Sequence, residues 1–173
     1  NTYVAQEILG EKIEHMAFVY GNVKPEKQPK KYPDLDKIGP VILIKGQKQQ
    51  DMSLEKALEQ LKPGDVIIKG ANALDYNNQT AGIIVGSSAG TIGKAYPKII
   101  GKKTHLIIPI GLEKQVAGNV VDITRKMRQP VDTIGKVNSM FMVTGYIVTE
   151  IEAIKLLADV DSFQAAGGGI GGA

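Results

Sequence analysis

Ala81-Gly82-Ile83-Ile84-Val85-Gly86-Ser87-Ser88-Ala89-Gly90-Thr91-Ile92-Gly93-Lys94 joins an unbroken apolar run to a turn of small residues and then to a segment with helical spacing. A run that is apolar throughout, rich in Ile and Val and closed by Gly, predicts a strand buried on both faces. The segment after it predicts a helix near 91–102, weakened or shortened by Pro97 and Gly101. Strand, tight turn and helix in succession form the repeating unit of an α/β sheet.

The same signals recur on both sides. Pro40–Gly46, Asp65–Gly70 and Thr104–Pro109 read as further buried strands, with Ala17–Tyr20, Asn119–Thr124, Met140–Thr144 and Ser162–Ala166 as shorter ones. Residues 3–16 carry Val4, Ile8, Leu9, Ile13 and Met16 at helical spacing. Ser53 is a good cap for a helix that puts Leu54, Ala57, Leu58 and Leu61 on one face. Thr149-Glu150-Ile151-Glu152 is a capping box opening a helix with Ile151, Ile154, Leu157 and Ala158 inward. Alternating buried strands and amphipathic helices predict one α/β domain over 1–173, in three layers, with a mainly parallel sheet and helices on both faces. An exposed loop rich in proline and lysine interrupts it at about 24–37. The chain opens on Asn1 rather than Met, which leaves its native start open, and it closes on a glycine-rich run that fits either a native chain that continues or a floppy end.

Composition narrows the function classes. The 173 residues carry 21 Lys+Arg against 18 Asp+Glu, a formal charge of +3, too mild to signal a nucleic-acid or membrane partner. Aromatic residues make up 5% and there is no Trp, which argues against a base-stacking surface. Without Cys the chain cannot form a disulfide, a zinc–thiolate site or a thiol nucleophile, and a reducing cytoplasm is the expected compartment. No apolar run approaches a membrane span, and the first residues show no leader pattern. No cofactor and no metal is indicated. His15 and His105, the two histidines, lack partners at ligand spacing, and each reads first as a structural residue.

In mainly parallel sheets ligands bind beyond the carboxyl ends of strands, where loops meet helix N-termini. That rule selects two segments. Gly86, Ser87, Ser88, Gly90, Thr91 and Lys94 offer close backbone amides, hydroxyls and a positive charge, suited to a small anion. The stretch is a near miss to a P-loop, with Ser88 where the first glycine belongs and Ala95 where the magnesium-binding Ser or Thr belongs. Asn72 and Asp75 stand at the end of the preceding strand, where a turn that bonds its own backbone is the competing reading.

Together, Gly70-Ala71-Asn72-Ala73 with Asp75, then Gly86–Gly90, then Thr104–Pro109 resemble the core of the superfamily that holds ribose-5-phosphate isomerase, glucosamine-6-phosphate deaminase and the CoA transferases. The likeness covers about 65–114. It implies a Rossmann-like fold and a phosphate, sugar-phosphate, nucleotide or CoA-type ligand. The isomerase's acidic turn residues are replaced by Asn72 and Ala73, and its helix glutamate has no counterpart in 91–103. That difference carries an alternative, a non-catalytic regulatory or structural subunit on the same fold, for which self-association or a partner surface is expected. Glu150 is the one remaining candidate for a nucleophile or base, since Glu152 is explained by capping. Arg125 and Arg128, the two arginines of the chain, suit bidentate carboxylate or phosphate binding, with a solvated loop as the competing reading. Gly167-x-Gly169-x-x-Gly172 fits a dinucleotide fingerprint only formally, because five glycines in six residues make the match almost automatic.

Overall fold

A computed structural model describes residues 2–13, 39–134 and 137–167. The expected strand at 17–20, the loop at 24–37, His15 and the glycine run beyond Gly167 lie outside the described residues. The chain divides into two compact units, 1–60 and 61–173.

The first unit contains helix α1 (Thr2–Leu9), strands β1 (Leu43–Ile44) and β2 (Gln47–Lys48), and helix α2 (Leu54–Gln60). α1 ends sooner than the apolar spacing suggests, because Gly10 turns left-handed at φ +66°. Ser53 caps α2 as expected, its hydroxyl accepting from the Lys56 N–H at 3.2 Å. The buried strand expected over Pro40–Gly46 is corrected to a two-residue arm of an antiparallel hairpin. Lys45 and Gly46 both take positive φ, the conformation a two-residue hairpin turn requires.

The second unit builds two three-stranded sheets. β3 (Val66–Ile68), β6 (His105–Pro109) and β8 (Tyr146–Val148) pair in parallel, in the order β3-β6-β8. β4 (Ala73–Asp75), β5 (Thr80–Val85) and β7 (Ser139–Thr144) pair antiparallel, in the order β4-β5-β7. The expected parallel setting therefore holds for Asp65–Gly70 and Thr104–Pro109. The strand at Ala81–Val85 instead lies at the centre of the antiparallel sheet. The chain changes sheet four times, and its two shortest passages run from β3 to β4 through Lys69–Asn72 and from β7 to β8 through Gly145.

Helix α3 (Gly90–Lys102) runs through Pro97 and follows β5 as expected. Its Tyr96 ring meets Phe141 of β7 edge-on, with centroids 5.6 Å apart. Side chains alternate along a strand, so Met140 and Met142 lie on the other face, where Ala73, Val120, Ile123 and Met127 join them. Those last three belong to helix α4 (Val120–Met127), which corrects the strand expected at Asn119–Thr124. The helical signals were present. Asn119 caps the Val121 N–H at 2.7 Å, Asp122 stands in the first turn, and Arg125 and Lys126 stand in the last.

Thr149 opens helix α5 (Glu150–Ala158) with the expected capping box. Its apolar residues are not inward, however, since Ile154, Leu156 and Leu157 are exposed and no α5 residue is buried. The strand expected at Ser162–Ala166 is absent, those residues taking no regular structure.

Candidate functional site

The parallel sheet delivers three carboxyl ends to one edge: Lys69–Asn72 after β3, Ile110–Lys114 after β6 and Thr149–Glu152 after β8. Lys69 is the last residue tied to that sheet, its N–H donating to Ile107 O at 3.0 Å. The backbone then crosses to β4 through Gly70 and Ala71. Two ammonium groups settle on this crossing: Lys69 Nζ lies 3.4 Å from Gly70 O, and Lys114 Nζ lies 3.1 Å from Ala71 O. Lys114 ends a single 3-10 turn, Leu112–Lys114, and the chain then continues beside β4, where Val116 N–H donates to Leu74 O at 2.9 Å.

Burial lowers the Lys69 ammonium below its ordinary pKa, and the positive charge of Lys114 lowers it further. Carbonyl dipoles only partly offset two neighbouring cations at a half-buried place. Neither lysine was singled out by sequence reasoning. The available signal was position: each lies just after a strand of the parallel sheet.

Two nearby acids are engaged. Glu150, the candidate nucleophile, accepts from the Leu112 N–H at 2.9 Å, which ties α5 to the 3-10 turn. Glu152 accepts from the Thr149 N–H at 2.8 Å, from the Thr149 hydroxyl and from the Tyr76 hydroxyl at 2.6 Å. Burial pushes the Glu152 carboxyl up, but the hydrogen bonds from Thr149 and Tyr76 outweigh it and hold the carboxyl below its ordinary value. The Tyr76 phenol is raised in turn, chiefly by its bond to Glu152.

Glu152→Gln should lower the unfolding free energy by about 1–2 kcal/mol at neutral pH, since an amide nitrogen would face donors. A carboxyl with a lowered folded pKa stabilises above its unfolded value, and that contribution fades as pH falls through the folded one. The variant's deficit, read from urea midpoints, should therefore shrink in acid. A deficit equal at both pH values would show that the charge plays no part.

Of the residues selected from sequence, Asn72 and the turn at Gly86 share one end of the β4–β5 hairpin. The Asn72 N–H donates to Gly82 O at 2.8 Å, and its side-chain oxygen accepts from the Ile84 N–H at 2.9 Å. The two segments are thus neighbours through an antiparallel hairpin rather than through parallel crossovers. Asp75 is separate, at the hairpin's closed end, three residues or about 10 Å along the strand. It is buried, and it accepts from the Asn78 N–H, the Asn78 amide and the Val120 N–H at 3.1, 2.9 and 3.4 Å. The Asn78 side chain is the largest cause of its lowered pKa. Asp75 thereby closes a turn and anchors the start of α4.

Gly86, Ser87, Ser88 and Ala89 form a tight turn, with the Ala89 N–H donating to Gly86 O at 2.9 Å. Ala89 and Gly90 are both left-handed, at φ +54° and +55°. The side chains of Ser87, Ser88, Thr91 and Lys94 are exposed, and Gly86 and Gly90 lie open with them. The turn therefore presents a surface. His105 is exposed at the start of β6, its ring 5.6 Å from that of Tyr146, in keeping with a structural role.

Among the described residues no group of three or more His, Asp or Glu is placed to hold a metal ion. Nor is any helix among them long and apolar enough to cross a membrane. No family model, curated protein or solved structure matches this chain.

Proposed function

We propose that the protein binds a small anionic molecule at the carboxyl edge of the parallel sheet. Phosphate, sugar-phosphate, nucleotide and CoA-type ligands are the chemical class. The observation that carries this reading is the Lys69–Lys114 pair on successive carbonyls of the β3–β4 crossing. An anion bridging both ammonium groups would offset their mutual repulsion and raise the Lys69 pKa toward its ordinary value. The exposed turn Gly86–Thr91, at the adjoining end of the β4–β5 hairpin, is the second proposed contact. Its Ser87, Ser88 and Thr91 hydroxyls and the first amides of α3 suit phosphate oxygens. A three-layer, Rossmann-like arrangement remains part of this reading, supported by the β3-β6-β8 sheet and its loaded carboxyl edge.

Inorganic phosphate, ribose 5-phosphate, ATP and CoA, titrated by calorimetry, test the proposal. Lys69→Met and Lys114→Met should each weaken binding at least about tenfold, the scale of a lost hydrogen bond to a charged group. Lys69→Met should at the same time leave stability unchanged or raise it, because it removes a poorly solvated charge.

The pH dependence has two opposite signs. A lysine whose folded pKa is lowered makes the unfolded chain bind more protons. Stability therefore rises with pH between the folded and unfolded values. Anion affinity instead falls as pH passes the lowered pKa, since binding needs Lys69 charged. Binding by all four ligands unaffected by either substitution would overturn the site. No heat or thermal stabilisation from any of them would overturn the function.

A further inference from the structure

A second feature lies on the far side of the antiparallel sheet from β4. Strand β7 closes that sheet, and its register with β5 determines which backbone groups face outward. Gly82 and Ile84 of β5 turn their polar groups toward β4, where Asn72 meets both. Ala81, Ile83 and Val85 therefore turn toward β7, opposite Val143, Phe141 and Ser139. This leaves Met140, Met142 and Thr144 with N–H and C=O groups directed away from β5. The Thr144 N–H is taken by the Tyr96 hydroxyl at 3.0 Å. The outward amides of Met140 and Met142 have no partner among the described residues.

Alongside this edge runs a cleft of about 200 Å³, lined by Val121, Thr124, Arg125, Arg128, Phe141 and Met142. The three α4 positions and the C-cap Arg128 form a single stripe at helical spacing. Arg125 and Arg128 are the two arginines of the chain, and both are here. Arg125 makes only an exposed contact with Asp122 at 3.2 Å, and Arg128 makes no ion pair among the described residues. Thr124 is 5% exposed, and its buried hydroxyl has no hydrogen-bond partner. An unmet buried hydroxyl, two forked cations and a strand edge with two unpartnered amides all call for one kind of occupant.

Size decides which. Small-molecule sites usually enclose about 300–1,000 Å³, so this cleft has room for a side chain rather than a whole ligand. Charge decides between partners, since a second copy pairing edge to edge would bring its own arginines to the same seam. We propose that β7 accepts an extended acidic peptide from a partner protein as a fourth strand, with an Asp or Glu side chain seated between Arg125 and Arg128. Backbone bonds to Met140 and Met142 supply affinity, the arginines supply selectivity, and the Thr124 hydroxyl donates to the inserted carboxylate. This surface is independent of the Lys69–Lys114 edge.

Acetylated peptides about seven residues long, alternating Val with Glu, with Lys or with Gln, serve as probes for the full chain. In amide NMR spectra the Glu peptide should shift Met140 and Met142 and the Arg128 side chain. The Lys peptide should not. Combined Arg125→Gln and Arg128→Gln should weaken the Glu peptide at least about tenfold. Methylating alternate peptide nitrogens should abolish binding in one register and spare it in the other. Benzoate separates a peptide groove from a small carboxylate site: it should bind much more weakly than the peptide. Equal binding of the Glu and Lys peptides, shifts away from β7, no shifts at all, or benzoate matching the peptide would overturn the proposal. The peptide comparison on the unaltered chain decides even where the double variant fails to fold.

Discussion

Leu74→Ala should lower the unfolding free energy of the second unit by about 3–4 kcal/mol. Leu74 is completely buried in the middle of β4. Its backbone is held on two sides, paired with Ala81 on β5 and bridged to Gln115 after the 3-10 turn. A backbone tied in this way cannot move inward to fill the space left by the lost methyl groups. The cost is then the lost transfer free energy plus most of the cavity. A typical domain is stable by only about 5–15 kcal/mol, so the variant should show a much lower urea midpoint. The slope of the transition should be unchanged, because the surface exposed on unfolding is nearly the same. A loss below about 1 kcal/mol would mean that the sheet collapses around the gap, contrary to the double tether.

Leu74 also marks a limit of what the sequence could show. It lies in Gly70–Asp75, a stretch read as a turn because Gly, Asn and Asp are turn formers. The structure makes residues 73–75 a strand. Three residues are too few to display alternation, and Ala73 and Leu74 are buried on opposite faces. Long apolar runs were legible for the opposite reason. Asp65–Gly70, Ala81–Gly86 and Thr104–Pro109 each contain a strand. What such runs cannot show is direction of pairing. A strand covered on both faces is equally apolar in parallel and antiparallel sheets, and Thr80–Val85 belongs to the second kind.

Local capping chemistry was readable where a hydroxyl stood at the start, at Ser53 and Thr149. Asn119 was passed over because the Val-Val that follows it favours strand formation. The Lys69–Lys114 pair escaped notice because it depends on where the chain changes sheet. Lys69 and Lys114 are 45 positions apart, and only the β3–β4 crossing puts their ammonium groups on adjacent carbonyls.

The shortest change of sheet, from β7 to β8, is a sensitive backbone position. Gly145→Ala should cost about 2–3 kcal/mol, and Gly145→Val more, through overpacking. Gly145 is the single residue between β7, in the antiparallel sheet, and β8, in the parallel one. A Cβ there would lie 2.6 Å from Leu106 O and 3.1 and 3.2 Å from Leu106 Cβ and Cγ. Leu106 is 3% exposed and belongs to β6, the central strand of the parallel sheet, in register with Ile67 of β3. Its carbonyl cannot retreat without disturbing that register. Gly82 makes the instructive contrast. A Cβ at Gly82 would also collide, but with the thioether end of Met140, a flexible side chain that can turn aside. Gly118, where a Cβ meets nothing within 4 Å, is the control. Urea denaturation of the three alanine variants should rank the losses Gly145 above Gly82 above Gly118. Gly145→Ala no costlier than Gly82→Ala would show that the passage from one sheet to the other has slack. Leu106 would then not be the wall against which β7 turns into β8.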